Sequence, residues 1–110
     1  MKTSGAILVI FLCLFFTAAL SAEEQGKEIF KSKGCIFCHK QEGTSGTIPS
    51  LSELAKAYKG KQKQLLQYLN GEADPIVNSE RAGTMKRQIE KTKAMSDSDR
   101  TALADFMLSH

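Results

Sequence analysis

Two thiols and an imidazole stand close together in one short stretch. Cys35 and Cys38 are separated by two residues, and His39 follows directly. Side chains of these types at this spacing have three uses: a redox-active disulfide, a zinc ion, or the covalent attachment of a haem. A redox-active C-x-x-C belongs in a strand–helix setting of thioredoxin type, and no strand pattern precedes Cys35. A structural zinc site normally takes four ligands, typically as two paired sets. There is no second C-x-x-C and no H-x-x-x-H, and the other histidine, His110, is the last residue. Haem fits the spacing, because C-x-x-C-H is the c-type attachment signature. The two thiols form thioethers to the two vinyl groups, and a separation of three along one helical turn spans that edge of the porphyrin. A bend after Cys38 then lets His39 place a ring nitrogen on iron.

The rest of the chain must supply the setting. Residues 5–20 are almost wholly apolar, Lys2 precedes them, and the small residues Ala19, Ser21 and Ala22 lead into Glu23. This is the pattern of a secretory signal. Cleavage is expected after Ala22, with Ser21 as the alternative, giving a signal peptide over 1–22 and one domain over 23–110. An uncleaved membrane anchor is the competing reading, but the run is short of the roughly 20 residues a span needs. Lipidation at Cys13 is disfavoured by bulky Leu12 before it. Export implies the periplasm, an oxidising compartment and the side of the membrane on which bacteria attach this kind of haem. So small a domain buries a modest core and gains from a staple or cofactor. The net charge of +3 falls by one when Lys2 is removed. That is too mild to indicate nucleic-acid binding, and no basic stripe is interleaved with aromatics.

The apolar spacing predicts an all-α fold. Residues 23–33 form a helix with acids first and lysines last, which suits the helix dipole, and Gly34 stops it. Leu51, Leu54, Ala55 and Tyr58 fall on one helical face, ended by Gly60. Residues 61–70 continue with Leu65, Leu66, Tyr68 and Leu69 up to Gly71. Ser96 and Asp99 resemble a capping box that opens a last helix carrying Ala102, Leu103, Phe106 and Met107. Two connections remain. Residues 40–50 contain Gly43, Gly46 and Pro49. Residues 72–95 form a long loop, in which 86–93 could make a short helix around Ile89. Loops of that length are often functional.

With these residues together, the chain resembles the small soluble class I c-type cytochromes of bacteria, over nearly all of 23–110. "GKEIFKSKGCIFCH" is similar to the family's first helix and haem site, and "DRTALADFMLSH" to its last helix. The resemblance implies one covalently bound haem c and crossed terminal helices, with two or three shorter helices around the haem. Gly26 and Phe30 match the first partner of that crossing, Leu103 and Phe106 the second. It implies that Pro49, in "IPSL", accepts a hydrogen bond from the free imidazole N–H of His39, although Ile48 stands where relatives usually carry glycine. Such a contact orients the ring and raises its basicity.

The resemblance also implies a methionine as the sixth iron ligand. Met107 lies in the last helix and reads as core filler. Met95 directly precedes the capping Ser96, where an apolar residue packs across a helix start. Met85 follows Gly83 and Thr84 in the long loop, and "ERAGTMKRQ" resembles the family's ligand loop, so Met85 is the expected ligand. Lys86 and Arg87 replace the proline common after it. The distance to the last helix resembles the subgroup with a helical insertion after the ligand.

The function implied is one-electron transport by a monomeric periplasmic carrier, not an enzyme. Its expected partners are redox proteins: a membrane respiratory or photosynthetic complex, or a soluble dehydrogenase. Lys31, Lys33, Lys40, Lys86, Arg87, Lys91 and Lys93 are either an ordinary solvated surface or a basic rim that steers an acidic partner to the haem edge. Tyr58 and Tyr68 read as core or haem-contact residues. A haem sensor or small peroxidase would need an open or displaceable axial position, with only Arg81 and Arg87 as distal polar candidates. A tethered subunit of a larger complex would need the signal to stay uncleaved.

Overall fold

The computed structural model describes residues 21–41, 48–79 and 82–110. Residues 1–20 of the expected signal segment, with Cys13, the loop glycines Gly43 and Gly46, and Arg81 lie outside the described residues; Ser21 and Ala22, the expected end of the signal, are the N-cap and first residue of the first helix. Five helices are present and no strand, among the described residues: α1 (Ala22–Ser32), α2 (Leu51–Ala57), α3 (Gln62–Leu69), α4 (Ala82–Lys93) and α5 (Asp97–Leu108). A short 3-10 turn, Cys35–Phe37, follows α1.

The most extensive helix packing is α1 on α5. Gly26 makes it possible. A Cβ built on Gly26 would meet the backbone of Ala102 and lie 2.6 Å from the Phe106 Cβ. One turn further along α1, Phe30 stacks tilted against Phe106, with ring centroids 5.5 Å apart. Both partners of the expected crossing are therefore in place. Leu51, Tyr58, Leu65, Leu69, Leu103 and Met107 complete a buried core against this pair.

Local signals end the helices where the sequence predicts. Gly34, Gly60 and Gly71 all have positive φ, near 80°, 74° and 74°, a conformation that side-chain-bearing residues rarely adopt. At Ser96 only half of the expected box forms. The Ser96 hydroxyl accepts from Asp99 N–H at 3.2 Å, while the Asp99 carboxylate takes a hydrogen bond from Gln25 Nε2 at 2.9 Å, tying α5 to α1. A complete capping box stands instead at Ser50 and Glu53, opening α2.

The largest departure from expectation is α4. Residues 82–93 are helical, so Met85 lies in the first turn of a helix and not in a loop. The helical insertion includes this methionine instead of following it. The helix has only one buried residue, Thr92, and few apolar ones, which is why periodicity undersold it. Polar contacts hold it in place. The Thr92 hydroxyl reaches the Leu69 carbonyl at 2.5 Å, and Lys91 Nζ reaches the Lys33 carbonyl at 3.5 Å.

Candidate functional site

Gly34 turns the chain out of α1 and starts the 3-10 turn that presents the cysteines. Cys38 N–H and His39 N–H both donate to the Cys35 carbonyl, at 3.2 and 2.9 Å. The two thiols are not joined. Cys35 is half-buried and Cys38 exposed. Burial pushes the Cys35 thiol above its ordinary pKa, with a backbone hydrogen bond and nearby Lys91 acting in the opposite direction.

His39 is buried. Its Nδ1 lies 2.7 Å from the Pro49 carbonyl oxygen. A carbonyl can only accept, so Nδ1 carries the proton and Nε2 of the neutral ring keeps its lone pair. The Pro49 segment is in turn pinned beside His39, since Leu51 N–H donates to the Lys40 carbonyl at 2.7 Å.

These residues border one cavity of about 280 Å³. Cys35, Cys38, His39 and Pro49 form one part of its wall, and Met85, Gln88 and Thr92 of α4 form another. Phe30, Leu54, Leu65, Leu69 and Leu103 contribute apolar surface from the core, and Tyr58, Tyr68 and Val77 are among the other residues that line it. Met107 also borders it, as a buried member of the core. Met95 does not border it. That residue is half-buried against the core. The structure thus brings Cys35, Cys38, His39, Pro49 and Met85 to one space and leaves Met95 outside. Among the described residues, no group of three or more His, Cys, Asp or Glu side chains is placed to hold a metal ion, so a zinc site has no donor set.

Comparison with protein families matches residues 23–110 to Cytochrome c. The chain belongs to the cytochrome c family. Comparison with curated proteins gives no match. As a cytochrome c, the chain is a haem-based electron carrier of all-α fold, and the family implies covalently bound haem c with iron. The residues present fit that group. Two thiols and an imidazole with a free lone pair stand at the wall of a cavity whose exposed lining is mostly apolar.

Sequence reasoning missed two residues that shape this site. Thr92 borders the cavity and ties α4 to α3. Arg100, buried in the first turn of α5, binds the end of α4. Neither carries an apolar-pattern signal. The usable sign was a lone arginine among the inward-facing positions of the last helix.

Proposed function

We propose that this cytochrome c is a periplasmic one-electron carrier with one haem per chain, tethered by Cys35 and Cys38 and ligated by His39 and Met85. The observation that carries this reading is the shared cavity: Met85 on α4 borders the same space that the C-x-x-C-H residues border. When bound, the haem supplies reversible one-electron chemistry at iron. The chain's own residues do the rest. Cys35 and Cys38 hold the group by thioethers. His39, oriented through Nδ1 by Pro49, offers Nε2 as an imidazole donor, and the hydrogen bond raises its basicity. Met85 offers a neutral, soft sulfur, which favours ferrous iron and raises the potential. The apolar wall disfavours the additional charge of the ferric state and acts in the same direction.

If His39 and Met85 both held the iron, no position on it would be left for a substrate, and the role would be carriage and not catalysis. Redox-protein partners approach the exposed side. Lys31, Lys33, Lys40, Lys86, Arg87, Lys91 and Lys93 are all exposed, consistent with an acidic partner. Export rests on the apolar segment that precedes residue 23, where the family match begins. No helix of the described residues is long and apolar enough to cross a membrane.

Optical spectra of the holoprotein and three variants test the ligand set. A sharp α-band in the reduced protein reports c-type haem, and a weak far-red band in the oxidised protein reports iron–sulfur ligation. The far-red band should vanish in Met85→Ala and persist in Met95→Ala and Met107→Ala. Its survival in Met85→Ala overturns the assignment.

A further inference from the structure

Arg100 is 7% exposed, and its guanidinium is spent almost entirely on one end of α4. Nε donates to the Thr92 carbonyl at 3.0 Å, and one terminal nitrogen donates to the Lys93 and Met95 carbonyls at 3.0 and 2.7 Å. The other terminal nitrogen pairs with Asp97 at 2.8 Å. A fixed positive charge therefore sits on the carbonyl end of α4, where the helix dipole is negative. Met85, Gln88 and Thr92 all border the cavity. Their spacing of three and then four puts them on one face, with Met85 roughly 10 Å along the axis from Thr92.

The anchoring of α4 is thus lopsided. Its only buried side chain, Thr92, is at the C-terminal end, beside the Arg100 clasp, and Met85 is at the other end. Arg100 also belongs to α5, the helix whose crossing with α1 leads into Cys35, Cys38 and His39. One helix is the common reference for both walls of the cavity.

We propose that Arg100 is a positioning residue for Met85: by clamping the C-terminal end of α4 to α5, it holds the thioether at the iron position. This rests on the reading of Met85 as the axial ligand. Arg100 touches neither the sulfur nor the cavity, so its effect passes through the helix. Lysine cannot replace it, because a single ammonium lacks the planar fork that reaches three carbonyls and a carboxylate.

The test uses haem-loaded wild type, Arg100→Gln, Arg100→Lys and Met85→Ala. Far-red absorbance, affinity of the oxidised protein for added imidazole, and amide hydrogen exchange over residues 82–93 are read below the melting range of each variant. In both Arg100 variants, α4 amides should exchange faster and the far-red band should weaken. Imidazole should bind about tenfold tighter or more, since apparent affinity scales with the fraction of molecules whose axial position is open. Arg100→Lys should be no more than partly restored relative to Arg100→Gln, and it serves alone if the glutamine variant fails to accumulate. An unchanged band and imidazole affinity beside faster α4 exchange would show a purely structural clasp and overturn the proposal. Unchanged α4 exchange would overturn it too. Survival of the band in Met85→Ala would remove the ligand reading itself, a result distinguishable from failure of Arg100 alone.

Discussion

His39 donates its Nδ1–H to the Pro49 carbonyl at 2.7 Å, across ten residues of chain. The bond sets the tautomer of the ring and leaves Nε2 as the donor nitrogen. Its geometry depends on what holds Pro49. The next residue, Ser50, is fully buried, and its hydroxyl caps α2 by accepting from Glu53 N–H at 3.2 Å. The Glu53 carboxylate returns a bond to Ser50 N–H at 3.3 Å.

Ser50→Ala should therefore lower stability by about 0.5–2 kcal/mol, the range for loss of a helix N-cap. Guanidinium unfolding of the holoprotein measures it. An unchanged midpoint would mean that the cap contributes nothing to the Pro49 segment.

The two helical glycines should respond in opposite directions. Gly26→Ala drives a Cβ into the Ala102 backbone and the Phe106 side chain. Separating α1 from α5 to relieve it should cost roughly 1–3 kcal/mol. Gly83 has nothing within 4 Å of its added Cβ and lies in exposed α4. Gly83→Ala should gain up to about 1 kcal/mol of helix propensity. Equal effects from the two changes would contradict the close crossing.

Met107 separates packing from ligation. It is 8% exposed in the core and also borders the cavity. Met107→Ala should cost about 2–5 kcal/mol, as buried large-to-small changes do, with the far-red band retained. Loss of the band at unchanged stability would assign Met107 the role proposed for Met85.

Alkaline pH should act on the cavity tyrosines. Burial raises the Tyr58 phenol above its ordinary pKa, opposed by its hydrogen bond from Ile76 N–H. Burial, with Tyr58 nearby, pushes Tyr68 up to about 12. Both folded pKa values exceed the unfolded ones. Their stabilising contribution is complete below pH 10 and declines as the pH rises toward 12, where the unfolded chain has lost protons that the folded chain keeps. Phenolate absorbance should appear late in the folded protein, and Tyr68→Phe should flatten the decline in melting temperature. Ordinary titration near pH 10 in the folded state would refute it.

The lysine-rich surface should show itself in kinetics. With an acidic redox partner, electron-transfer rates should fall as salt rises, because screening sets in at about 10 Å in 0.1 M salt. Reversing Lys33 and Lys91 to glutamate should reduce both the rate and its salt dependence. Salt-independent rates in the wild type would make these lysines an ordinary solvated surface.

Residues 35–39 needed no tertiary structure to be read, because a C-x-x-C-H turn is local: its backbone bonds return to the Gly34 and Cys35 carbonyls. The same holds for α1, α2 and α3, whose apolar faces and glycine stops are written in neighbouring residues, and for α5, opened by its Ser96 cap. The tertiary structure decided what stands around these residues. Residues 82–93 have too few apolar positions to announce a helix, and what holds them comes from elsewhere in the chain: the Leu69 carbonyl and the Arg100 guanidinium. Those hydrogen bonds reach 23 residues from Thr92 to Leu69 and between five and eight from Arg100 back to Met95, Lys93 and Thr92, and they leave no periodic trace. The packing of α4 brings Met85 to the cavity that Met107 of α5 also borders, and Met95 stays outside it, a placement that the residues next to each methionine in sequence do not reveal.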